Sequence, residues 1–172
     1  CTEHAGDDET LQQHLAKAES TATQLDADIE FLAWELRPWE LDKGLVTAID
    51  TYAREWSNHF RIAIDVHVSP IDEGRLPAQA ALSLYRIAQE ALNNVAKHGQ
   101  ATRVGVILEQ REERVGLVIE DNGRGFDAIR MHAGPRDQRL GLAGMRERAD
   151  LVSGTIDIES VPGRGTTVIV QV

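Results

Sequence analysis

The chain has little cysteine, little positive charge and no long apolar run, and each shortage removes a class of function. Its single cysteine, Cys1, leaves no partner for an internal disulfide and no cysteine-built metal centre, which fits a reducing compartment. Against 28 Asp and Glu stand only 18 Lys and Arg, a formal net charge of -10 over 172 residues. General affinity for nucleic acid or for an anionic membrane needs a basic surface, so neither is expected as a partner. Any site for a phosphorylated ligand must then be locally basic or assisted by a metal. No apolar stretch is long enough to cross a bilayer and no signal-peptide pattern is present, so the chain reads as soluble and cytoplasmic as it stands, without membrane contact of its own. It opens on Cys rather than Met, which reads as a piece of a longer protein, with room outside it for a sensor part or a membrane anchor. The length suits one good core with a helical appendage.

What is present divides into three parts. Residues 1–10 are small, polar and acidic, a flexible start. From Leu11 the apolar positions Leu15, Ala18, Ala22, Leu25, Ile29, Leu32 and Leu36 step by four and three, a heptad seam that favours pairing with another helix over lying on a globular face. Pro38 ends it, and the connector runs to Gly44, so 11–44 reads as a partial dimerisation helix with its connector. Residues 45–172 read as one folded domain. The spacing predicts a helix over Leu45 to Asn58, a strand over Phe60 to Ser69 and a helix over Ala78 to His98. A hairpin follows, with strands Arg103 to Gln110 and Arg114 to Asp121. A mobile lid over Phe126 to Leu140 leads to a helix over Gly141 to about Val152, stopped by Gly154, and two strands flank the turn at Pro162 to Gly165. Adjacent strands argue against a doubly wound parallel sheet. The expectation is an α/β fold, a two-layer α/β sandwich whose mixed β-sheet is covered by helices on one face, with a coiled-coil-like N-terminal helix.

Three stretches could carry chemistry. In the helix from Ala78, Glu90, Asn94 and His98 recur at i, i+4 and i+8 and form a polar stripe beside an apolar face. A carboxylate, an amide and an imidazole so placed suit a hydrated magnesium ion and a proton transfer; the plain alternative is a solvated face. Asp121 closes an apolar strand and opens a turn in which Gly123 and Gly125 let a flat ligand approach the backbone. Its carboxylate could accept from the exocyclic amine of adenine, whereas guanine would set a carbonyl against it; the alternative is a simple Asp-Asn-Gly turn. Gly141, Leu142 and Gly144 at a helix start would offer free amides and a dipole to phosphate, or only a loop-helix junction.

Taken together, the stretches resemble a known family. Ile87 to His98 is similar to the N box of the GHKL (Bergerat-fold, HATPase_c) ATP-binding domain, Asp121 to Gly125 to its first glycine box, and Gly141 to Arg148 to its second. Leu36-Arg37-Pro38 with Leu41-Asp42 and Gly44-Leu45 resembles the connector of bacterial sensor histidine kinases that pair with helix-turn-helix (LuxR/NarL-type) response regulators. The resemblance implies ATP and Mg²⁺ as cofactors, with Asn94 the metal ligand. Glu90 would orient or deprotonate the group that attacks the γ-phosphate, and Asp121 would bind adenine. Lys97 and His98 would lie near the phosphates, Gly141 and Gly144 would cradle them, and Thr166 would add a polar contact near the base. It further implies a homodimer through the N-terminal helix and a cognate response regulator as partner.

Two departures stand out. The second box usually opens with a further glycine two residues before Gly141, where this chain has Arg139. The family's phosphoacceptor is a histidine followed by an acid, yet His4 precedes Ala5 and His14 precedes Leu15, so the acceptor helix is expected outside this chain. His59, His67 and His132 lack such a context and read as surface or strand residues. The alternatives are a regulatory module of the same fold, such as an anti-sigma-type serine kinase or a degenerate kinase acting by protein contact, and a coiled-coil adaptor, which would leave the polar stripe unaccounted for.

Overall fold

The computed structural model describes residues 43–127 and 136–172, with 14, 17, 21 and 41 before them; for 136–140 the description covers the backbone alone. The chain divides into two compact units, Cys1–Pro38 and Trp39–Val172. In the first, His14, Lys17 and Thr21 are helical. The Leu11 to Leu36 seam itself, and the dimer expected from it, lie outside the described residues.

In the second unit, helix α1 (Leu45–Phe60) leads into strand β1 (Ala63–Val68), helix α2 (Ala78–Asn94), a π-helical turn (Val95–Gly99) and the hairpin of β2 (Arg103–Arg111) and β3 (Arg114–Asp121). Helix α3 (Arg136–Asp150) and strands β4 (Thr155–Ser160) and β5 (Thr166–Gln171) complete it. The sheet order is β1-β2-β3-β5-β4, parallel between β1 and β2 and antiparallel elsewhere. This is the expected mixed sheet. Alternation sorts its faces: Val104, Val106 and Leu108 of β2, Val115, Leu117 and Ile119 of β3, and Val168 and Val170 of β5 are buried, while their sequence neighbours face away. The helices supply the second layer through Leu45, Ile49, Tyr52 and Trp56 of α1, Leu84, Ile87 and Leu92 of α2, and Met145 and Ala149 of α3. Tyr52 and Tyr85 meet edge to face with centroids 5.9 Å apart, the arrangement their ring quadrupoles favour.

Apart from shifts of a residue or two, and from Phe60, which closes α1 with its ring against Trp56 rather than opening β1, two boundaries differ from expectation. Helix α3 begins at Arg136, five residues before Gly141, so the end of the expected lid is helix, and 128–135 lie outside the described residues. Apolar rhythm starts only at Leu140. Polar residues of good helix propensity can extend a helix that is anchored downstream, and Pro135 favours a start just after it. The second difference is the π turn, which carries the α2 backbone on to Gly99 with a widened last turn.

Helix α1 has no capping side chain of its own at Gly44. Its first amides are taken instead by Glu73, whose carboxylate accepts from Leu45 N at 3.0 Å and Val46 N at 3.1 Å. Gly44 sits at φ +95, a conformation that favours glycine, and a Cβ there would also press on the same carboxylate. Removing an anionic cap of this kind costs about 1–2 kcal/mol. Glu73→Ala should therefore lower the unfolding free energy from urea titration by that amount, with a lower midpoint, and Glu73→Gln, which keeps an acceptor, by less. An unchanged midpoint in Glu73→Ala would show that water caps α1 equally well.

Candidate functional site

The site forms where the C-terminal end of α2 passes over the end of β3. Asn94 ends the α-helical part of α2 and His98 sits in the π turn, a kind of widened turn frequent at functional sites. Asn94 Nδ2 donates to Glu90 Oε1 at 3.3 Å, which leaves the amide oxygen of Asn94 unspent by that bond. Glu90 and Asn94 are both half-buried. Opposite them, α3 brings Gly141 so close that a Cβ would collide with the Glu90 carboxylate and lie 3.4 Å from Asn94 Nδ2.

Asp121, only 6% exposed, receives the Gly123 amide at 2.7 Å and further bonds from the Thr166 amide and hydroxyl. Burial nevertheless holds its carboxyl above the usual carboxylate range; those donors lower it only in part, and the charge of Glu120 raises it further. Between these groups lies a cavity of about 270 Å³, just under the range of about 300–1,000 Å³ usual for small-molecule clefts. Asn94, His98, Asp121, Arg124 and Thr166 give it a few polar points. Apart from Gly99 and Gly125, the rest of the wall is apolar: Ala91 from α2, Val95 from the π turn, Ile119 and Val168 from the sheet, Leu142 and Met145 from α3, and Phe126. A flat heterocycle that is apolar on its faces and polar at its edge matches such a lining.

Of the residues singled out in the sequence, Asn94, His98, Asp121, Gly125, Leu142 and Thr166 line this cavity, and Glu90 joins it through Asn94. Lys97 is exposed and off the wall. Gly123 serves the turn, since a Cβ there would meet the Gly99 carbonyl oxygen. Gly141 and Gly144 do not open a helix as expected. They lie inside α3, where their amides are engaged in the helix ladder, so what they offer is a missing side chain rather than free donors. Gly144 faces Arg148, whose Nη1 would be 2.8 Å from an added Cβ. Arg124 and Met145, inside the two glycine stretches but given no role there, also line the cavity, as does Phe126 at the start of the expected lid; Met145 falls three residues after Leu142 on the same helix face.

Residues 79–172 match the family described as histidine kinase-, DNA gyrase B- and HSP90-like ATPase. The chain belongs to this family. Among curated relatives it is 32% identical over 169 residues to the signal transduction histidine-protein kinase/phosphatase DegS of Brevibacillus brevis, covering 97% of this chain and 42% of that protein. It is 34% identical over 167 residues to the oxygen sensor histidine kinase NreB of Staphylococcus carnosus, covering 96% of this chain and 47% of that protein. The chain thus spans less than half the length of these relatives. The histidine kinase domain of the Erythrobacter litoralis EL346 blue-light activated kinase shares the fold, with a TM-score of 0.65 over 99% of this chain and 85% of that one at 17% identity. Mycobacterial MprB shares it with a TM-score of 0.55 over 73% of this chain and 91% of that one at 24% identity.

The raised Asp121 carboxyl has a measurable consequence for this ATPase-family domain. A folded-state pKa above the unfolded value, ~3.9 for Asp, means that ionisation opposes folding. The Asp121 contribution is complete below that value and lost as pH rises through the folded one. Thermal melts of wild type and Asp121→Asn across this range should show wild type losing ground relative to the variant as pH rises. A gap independent of pH would contradict the burial argument.

Proposed function

We propose that this domain binds Mg-ATP and transfers the γ-phosphate to a histidine on a dimerisation helix of the longer protein, for relay to a response regulator of helix-turn-helix type. The observation that carries this reading is the meeting of Asn94, His98, Asp121 and Thr166, from segments far apart in sequence, around one cavity, with Glu90 bonded to Asn94. Both curated relatives are named as histidine kinases, which favours a histidine over a serine acceptor.

Adenine would enter the apolar cavity and give its amine to Asp121, with Thr166 beside it. Among the described residues no cluster of His, Cys, Asp and Glu could hold a metal ion by itself. A single amide oxygen from Asn94 nevertheless fits an ion that keeps waters and takes its remaining ligands from phosphate. Magnesium bound in this way supplies neutralisation of the phosphate charge. Glu90 orients the attacking imidazole or accepts its proton, and the Asn94 amide holds that carboxylate in place. Lys97, just beyond the wall, adds positive charge where the triphosphate leaves the cavity, and His98 on the wall brings an imidazole close to the phosphates. Leu142 closes the cavity, and Gly141 keeps the space in front of Glu90 clear. Positioning and charge neutralisation are most of what phosphoryl transfer needs. The N-terminal helix would pair two copies, with the acceptor on a helix outside this chain, in a cytoplasmic setting.

Calorimetric titration with magnesium should give ATP a preference over GTP of roughly ten- to a hundredfold, the scale of a buried acceptor left unpaired; equal affinities would remove the role given to Asp121. With a supplied dimerisation hairpin, Glu90→Ala should keep ATP binding within a few-fold and slow transfer by roughly 10²- to 10⁴-fold. An Asn94→Asp or Glu90→Ala variant with unchanged binding and transfer would instead favour an adaptor. Gly141→Ala, which pushes the Glu90 carboxylate aside, should slow transfer by about 10- to 100-fold without lowering the melting temperature.

A further inference from the structure

Three hydroxyl and carboxyl side chains stand in one row across the sheet. Asp121 of β3 is the register partner of Thr166 in β5, and Thr166 is in turn the partner of Ser160 in β4. The Thr166 hydroxyl bonds Asp121 and lies 3.0 Å from Ser160 Oγ. Ser160 Oγ is also 3.0 Å from the Gly165 carbonyl oxygen and accepts the Phe126 amide at 2.9 Å. Ser160 thus touches both the polar residue beside Asp121 and the backbone of a residue in the cavity wall.

Counting protons shows what this arrangement can do. Ser160 and Thr166 each carry one hydroxyl hydrogen. Three places compete for these two: the Asp121 carboxylate, the Gly165 carbonyl, and the contact between the two hydroxyl oxygens. With Asp121 ionised and no ligand present, the Thr166 hydroxyl hydrogen belongs on the carboxylate beside the Gly123 and Thr166 amides, and Ser160 has to choose between Thr166 and Gly165. Once a purine amine donates to Asp121, Thr166 can turn its hydrogen to Ser160, and Ser160 can give its own to Gly165. Every contact is then filled, with no heavy atom displaced.

We infer that Ser160 is a positioning residue for base recognition, one that lets Thr166 release Asp121 to an arriving purine amine and ties the Phe126 backbone to the same exchange. The inference rests on the reading of Asp121 as the adenine acceptor. A base that presents a carbonyl in place of the amine brings no hydrogen to Asp121, so it gains nothing from the exchange. Ser160 therefore adds to selectivity as well as to affinity.

The test is calorimetric binding of ATP and GTP to the full chain carrying Ser160→Ala or Ser160→Thr, with thermal melts alongside. Ser160→Ala should weaken ATP roughly three- to tenfold, the scale of one lost hydrogen bond, and GTP less. Ser160→Thr, which keeps the hydroxyl, should hold the wild-type ratio. In a Thr166→Val background, Ser160→Ala should leave the ratio where Thr166→Val alone put it. An ATP to GTP ratio unchanged by Ser160→Ala overturns the proposal, as does equal loss of both nucleotides with a lowered melting temperature, or failure of Ser160→Thr to hold the ratio in a chain that melts like wild type. If Ser160→Ala does not fold, Ser160→Cys, which keeps the volume but donates weakly, takes its place with the same expectations. A wild-type chain without preference for ATP would overturn the reading of Asp121 itself, whereas a preference that survives Ser160→Ala overturns only the role of Ser160.

Discussion

The close crossing of two turns, 121–126 and 160–166, is the constraint on which the cavity depends. Gly165 lies so near the Asp121 carbonyl oxygen, at φ +83, that any side chain would collide with it. Gly125, at φ +56, stands in the same relation to the Val161 carbonyl. Backbone bonds fasten the crossing, with Gly163 N donating to the Arg124 carbonyl at 2.6 Å. Because the turns interlock, the end of β3 and the start of β5 are held in register, and Asp121 is kept buried against Thr166. A carboxylate so placed is costly to ionise without donors, and the crossing supplies them.

The second support is α2, which serves two environments at once. One face carries Leu84, Ile87 and Leu92 into the core, while Glu90 and Asn94 satisfy each other at the cavity. The π turn then lets the chain reach Gly99, whose carbonyl accepts the Arg124 amide at 2.7 Å. Helix and glycine turn are therefore joined directly. Asn122 adds to this joint by accepting from the amides of Thr102 and Arg103, both at 3.0 Å. In Asp121-Asn122-Gly123, the aspartate faces the cavity while its two neighbours hold the backbone in place.

Much of this was legible in the chain. Alternation over β2 and β3 located the sheet and its buried face, and the polar stripe on an otherwise apolar helix marked Glu90 and Asn94. Asp121 at the end of an apolar strand was readable for the same reason. Where the reading failed, the signal was missing or ambiguous. A glycine before an apolar rhythm looks like a helix start, yet Gly141 lies within α3, because the polar turn ahead of it carries no rhythm at all. Lys97 shares a motif with His98, but one residue further round the turn is enough to leave the cavity wall. Ser160 gave no sign of a role, since a serine at a strand end is unremarkable until its register partner is known.

By itself the sequence determined the mixed sheet with its helical cover, the stretches that build the cavity and the carboxylate at its base, because these follow from periodicity and residue chemistry within a few turns of chain. Only the tertiary structure decided the cap of α1 by Glu73, 28 residues away, the clearance of Gly141 before Glu90, and the row from Asp121 through Thr166 to Ser160. Each of these is a contact between distant segments. Its geometry is set by strand register and helix packing, which no local pattern encodes.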